Sequence, residues 1–164
     1  MGIDTWLLWL EATSIATAIR ENDALFPWIE SVHVLAITLV VGTISIVDLR
    51  LLGVTSLDRA VGRLMRDVLP FTWGAFVIAA ITGGLLFASN AATYGHNFFF
   101  LGKMILIVLA GINMAAFHFF VGRDVERWGS AAQVPFAAKT AGALSLSIWI
   151  AVVAFGRWIG FTLH

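Results

Sequence analysis

Charged residues thin out along this chain into four long apolar stretches. Between His33 and Asp48 lie fourteen residues without a charge. Similar stretches cover residues 28–52, 70–88, 98–121 and 140–161, each long enough to cross a ~30 Å hydrocarbon layer at ~1.5 Å per helical residue. The first twenty residues differ. Asp4 and Glu11 interrupt an apolar run that includes Trp6, Trp9 and Leu10. That pattern predicts an amphipathic helix over about residues 3–19, lying at the membrane interface. The expected fold is all-α: an integral membrane four-helix bundle with an N-terminal interfacial helix, forming a single membrane domain over residues 1–164.

Composition agrees. Of 164 residues, 60% are hydrophobic and 12% charged, and the mean hydropathy is +0.92. A soluble domain of this size needs more polar surface, so the lipid bilayer is the expected solvent. Ten basic and ten acidic residues cancel, which points away from a nucleic-acid partner. There is no cysteine, which excludes disulfides, thiolate-bound iron–sulfur clusters and c-type haem attachment. The N-terminus lacks the basic n-region of a signal peptide. Basic residues are unevenly spread. Arg50, Arg59, Arg63, Arg66, Arg123, Arg127 and Lys139 fall on one side of the spans, against Arg20, Lys103 and Arg157 on the other. The positive-inside rule then predicts a bacterial inner-membrane protein with both termini on the outer side.

Ionisable groups recur at two depths. His33 and Asp48 are fifteen residues apart on the first span, as are Lys103 and His118 on the third. Fifteen residues rise ~22 Å and turn a helix ~60° beyond whole turns. Each pair therefore shares a face, one member near each membrane surface. An outer layer holds His33, Lys103 and Arg157, with His96 and His164 just above it. An inner layer holds Asp48 and His118. On the third span, Ile107, Ala110, Gly111 and Met114 lie between the layers. Such residues either let helices pack closely or leave room for a flat ligand.

Lone ionisable groups are costly in lipid, so each of these has a structural and a functional reading. His33 is either a buried histidine bonded to a neighbouring carbonyl or an axial ligand to haem iron. Lys103 and Arg157 either snorkel to the interface or neutralise haem propionates. Asp48 and His118 pair with each other or with Arg50 or Arg123; otherwise they form a second haem ligand, a proton relay or a quinone contact. His96 and His164 lie in exposed positions. Either supplies a sixth ligand above His33, with the Glu30 carboxylate also near that layer; alternatively His33, His96 and His164 form a copper site with Met104.

The segments FPWIESVHVLAITLVVGTISIVDLRLLG and HNFFFLGKMILIVLAGINMAAFH resemble a family of small four-span bacterial membrane proteins of unassigned function. The likeness includes Phe26, Pro27, Glu30, His33, Gly42, Asp48, Leu49, Arg50, Asn97, Lys103, Asn113 and His118. A more distant likeness is to the haem-binding membrane protoporphyrinogen oxidases and the copper-resistance-D proteins, at His33, Gly42, Arg50, Lys103 and His118. In the oxidases the first-span histidine binds haem, so the resemblance implies that role for His33. The expectation is a b-type haem protein in electron transfer, one subunit of a homo-oligomer or redox complex, with any oxidoreductase reaction left open. The competing expectations are a haem-free transporter subunit or structural partner, and a copper-handling protein.

Overall fold

A computed structural model describes residues 2–122, 125 and 134–162. Among the described residues seven α-helices run in chain order: α1 (Ile3–Glu11), α2 (Ser14–Glu21), α3 (Leu25–Leu52), α4 (Val61–Ser89), α5 (Ala91–Gly95), α6 (Phe98–Ala116) and α7 (Phe136–Thr162). A π-helical turn, Phe117–Val121, extends α6. The chain is an all-α bundle, and four of its helical stretches are long and apolar enough to cross a membrane: Leu25–Leu52, Val61–Ser89, Phe98–Val121 and Phe136–Thr162.

Local chemistry sets the helix ends. The Asn22 Oδ1 accepts from the Ala24 and Leu25 amides at 3.0 and 3.2 Å, which satisfies donors at the start of α3. Gly53 ends α3 at φ 80°, a left-handed conformation that costs glycine little. The Asn97 side chain caps α6 by accepting from the Phe100 amide at 3.0 Å.

Two boundaries differ from the sequence expectation. The second apolar stretch was expected from Pro70, but α4 begins at Val61. Proline lacks an N–H and disfavours a helix interior. Here the turns before it are held by packing, because Val61 and Leu64 are buried and Val61 joins a core with Val47, Leu51, Phe117 and Ala138. The N-terminal segment is two helices rather than one. The Thr13 hydroxyl donates to the Leu10 carbonyl at 2.8 Å, and its oxygen accepts from the Ala16 amide at 3.4 Å. Thr13 thereby ends α1 and caps α2. Both helices dock on the end of the bundle where α4 ends. The Glu11 carboxylate accepts from the Ala92 amide at 2.8 Å, and Arg20 donates to the Ser89 carbonyl at 3.1 Å, where α4 ends.

The spans form two pairs. α3 lies along α4, α6 lies along α7, and α3 against α7 joins the pairs; α4 and α6 have no comparable packing. Threonines link α3 and α4, with Thr72 Oγ1 and Thr43 Oγ1 2.8 Å apart. Small residues set the other seams. A Cβ on Gly142 would lie 3.2 Å from the Asp48 carbonyl oxygen, so α3 and α7 nearly touch there. A Cβ on Gly102 would lie 2.5 Å from the Phe155 ring, which fills the α6–α7 seam. The outward faces are apolar, with Leu35, Phe71, Ile105 and Ile150 exposed as a lipid-facing surface requires.

Candidate functional site: two polar layers and an inner cavity

In the outer layer, His33 Nδ1 lies 2.9 Å from Thr82 Oγ1 on α4. The Thr82 hydroxyl donates to the Ile78 carbonyl at 2.7 Å, so its oxygen accepts and His33 donates from Nδ1. A neutral ring then carries its acceptor lone pair on Nε2. The imidazole lies on bare backbone, because a Cβ on Gly83 would be 2.8 Å from its Cε1. Sequence reasoning missed Thr82. Its position on α4 opposite His33 could be found only once the two helices were paired.

Lys103 is half-buried, within electrostatic range of His33, and its Nζ passes 3.8 Å from the Cβ position of Gly156. It has no hydrogen-bond or ion-pair partner among the described residues. Arg157 is exposed and covers the Phe161 ring at 4.8 Å, the snorkelling arrangement. His96 is committed elsewhere: its Nδ1 lies 2.9 Å from the Ala92 carbonyl, and its Nε2 lies 3.2 Å from an Asp4 carboxylate oxygen. His164 lies outside the described residues. No three His, Cys, Asp or Glu side chains gather into a metal-binding group among the described residues. Of the copper trio, His96 instead ties α1 to α5.

Rings close the outer end between α4 and α6. Phe87 and Phe100 stack at 5.1 Å, with Tyr94 beside Phe100 at 5.6 Å. Burial, and then the charge of Glu30, push the Tyr94 hydroxyl above its ordinary pKa.

The inner layer holds a cavity of about 350 Å³ bounded by α3, α4, α6 with its π turn, and α7. All four residues noted between the layers on the third span, Ile107, Ala110, Gly111 and Met114, line it. Gly111 is not there for close packing, since a Cβ on it would meet nothing within 4 Å. Of the two roles the sequence allowed, small residues here leave room.

Asp48 and His118 both line this cavity. The expected pairing between them is absent, because no ion pair joins the two. Ser145 on α7 is the polar side chain beside Asp48 instead. Asp48 is 5% exposed, and its Oδ2 has no hydrogen-bond partner among the described residues, which do not include Arg123. His118 is in the π turn, exposed, with its ring edge-on to Phe117 at 6.3 Å. Such turns swing following side chains away from the α-helical register and recur at functional sites. Asn113 bridges to α7, its amide donating to the Ala141 carbonyl at 3.0 Å. Ser145 and Trp149 went unnoticed in the sequence, because a serine and a tryptophan on an apolar span carry no signal of their own.

The site and fold define a multi-pass α-helical membrane protein with an apolar cavity between its spans and one unsatisfied carboxyl in its wall. The chain belongs to the Family of unknown function (DUF6644), whose model matches residues 9–162. No curated protein and no solved structure matches the chain, so the likeness to the oxidases and copper-resistance-D proteins gains no support from these comparisons.

Proposed function

We propose that this protein is a haem-free membrane subunit that binds a small, largely apolar molecule in the inner cavity, as a small transporter subunit does. The observation that carries this reading is Asp48, a cavity-lining residue whose Oδ2 is buried and has no hydrogen-bond partner among the described residues. Burying such a group costs ~1–3 kcal/mol or more without a partner, and a ligand supplies that partner. The size fits, since small-molecule sites range over ~300–1,000 Å³ and combine apolar walls with a few polar groups.

The chain has no cysteine of its own, which makes labelling a clean test. Thiols react as thiolates and so need a wet, polar setting. Cysteines placed at Ile107, Gly111 and Met114 should react with N-ethylmaleimide in membranes much faster than cysteines at Val108 and Ile112, which face outward. Equal or reversed rates would mean that the cavity is closed and dry. The reading also takes the bacterial inner membrane, with both termini outside, from the charge bias of the loops. A cysteine at Ser56 should then resist a membrane-impermeant thiol reagent applied to intact cells.

One observation favours a second reading, electron transfer through b-type haem. His33 is held by Thr82 in the way an outer hydrogen bond orients a ligating imidazole, with Nε2 left to bind. Lys103 in the same layer lacks a counter-charge that a propionate would supply. The fit is partial: the described residues offer one imidazole there, Arg157 covers Phe161, and a sixth ligand would come from His164, which lies outside the described residues, from a second copy or from a redox partner subunit. A quinone at His118 would belong to this reading. It requires a Soret band in the purified protein that His33→Ala removes or alters.

A further inference from the structure

We propose that the inner cavity recognises a lipophilic organic cation: a compact apolar body carrying one ammonium group, which Asp48 binds. The proposal rests on reading the cavity as the ligand site and adds the chemistry of its occupant. The unpaired Asp48 Oδ2 accepts hydrogen bonds or faces positive charge. A ligand that offers only acceptors, such as a quinone with its carbonyl oxygens, leaves that atom unsatisfied. An anion fares worse, because no lysine or arginine lines the cavity among the described residues. A neutral hydrocarbon fills the space but leaves the carboxyl as it was.

The walls point the same way. Trp73, Phe76, Phe117 and Trp149 all line the cavity. Aromatic rings attract cations through their negative faces, most strongly where water is excluded, and aromatic cages recognise quaternary ammonium groups. An ammonium beside Asp48 also makes a neutral pair, which low-dielectric surroundings favour over an isolated charge. Carboxyl, rings and room come from different helices, so only the assembled bundle presents them together.

The test uses phenyltrimethylammonium and its uncharged isostere tert-butylbenzene, which differ only in replacing the cationic nitrogen with carbon. Radiolabelled phenyltrimethylammonium is titrated onto the full chain in lipid nanodiscs, with empty nanodiscs as the blank. The proposal expects saturable binding, with tert-butylbenzene competing at least about tenfold more weakly, since a buried charge partner contributes more than the ~1.4 kcal/mol of one decade. Asp48→Asn, of nearly equal shape, and Gly111→Leu, which fills the cavity, should each weaken binding at least about tenfold. If tert-butylbenzene competes as well as the ammonium on wild type, or Asp48→Asn binds as wild type does, while Gly111→Leu still blocks binding, the cavity holds ligands but does not read charge. The cation proposal then falls and the cavity reading stands. If wild type shows no saturable binding, or Gly111→Leu leaves it unchanged, both fall.

Discussion

Asp48→Leu should raise the stability of this protein. In most proteins the loss of a buried acidic residue is damaging, because a partner charge is stranded. Here Asp48 has no ion-pair partner among the described residues, one of its oxygens is unsatisfied by them, and the cavity beside it has room for a leucine. The substitution removes a desolvation cost of ~1–3 kcal/mol and adds apolar contact. Ser145 loses its polar neighbour but can turn back to the carbonyl four residues earlier, as helix serines do. The apparent Tm of the purified protein in mild detergent should therefore rise by several degrees, while ligand binding is lost. A residue that stability does not need but the cavity keeps is one retained for function. A clear fall in Tm would show instead that Asp48 holds the bundle together, as the paired reading of the inner layer had it.

The largest loss of stability is expected from Gly142→Leu. At this point α7 comes close enough to α3 that a Cβ would lie 3.2 Å from both the Asp48 carbonyl oxygen and the Leu51 Cβ. Backbone on one side and a buried leucine on the other cannot move aside cheaply. Overpacking of this kind costs ~1–3 kcal/mol in ordinary cores and sometimes more. This seam also joins the α3–α4 pair to the α6–α7 pair, so strain there acts on the whole bundle. Gly142→Leu should elute as aggregate or melt well below wild type, whereas Gly111→Leu, with open space around it, should elute and melt normally. If the two variants behave alike, the α3–α7 contact is not the seam described.

The four spans were legible because lipid selects for length and hydropathy, and both can be read from the sequence without knowing any contact. The two depths were legible for a related reason. A fifteen-residue spacing fixes height along a straight helix, so His33 and Lys103, and Asp48 and His118, did come to common layers. Partners were another matter. Lateral pairing depends on which helices are neighbours, and hydropathy says nothing about that. Hence Thr82 and Ser145 went unseen, and His118, one of the partners expected for Asp48, shares with it the wall of a cavity instead. The start of α4 was hidden by Pro70, whose local preference is overridden by the packing of Val61 and Leu64. The break at Thr13 was legible in principle, since Thr13 is a good N-cap for the helix that follows.

The central claim is that the inner cavity, rather than the imidazole of His33, holds what this protein binds. Native mass spectrometry of the chain purified in mild detergent tests it most directly, on wild type, Gly111→Leu and His33→Ala. The account predicts a bound small molecule on wild type and on His33→Ala that is missing from Gly111→Leu. A bound mass equal to haem, kept by Gly111→Leu and lost from His33→Ala, would contradict it and put the functional centre in the outer layer.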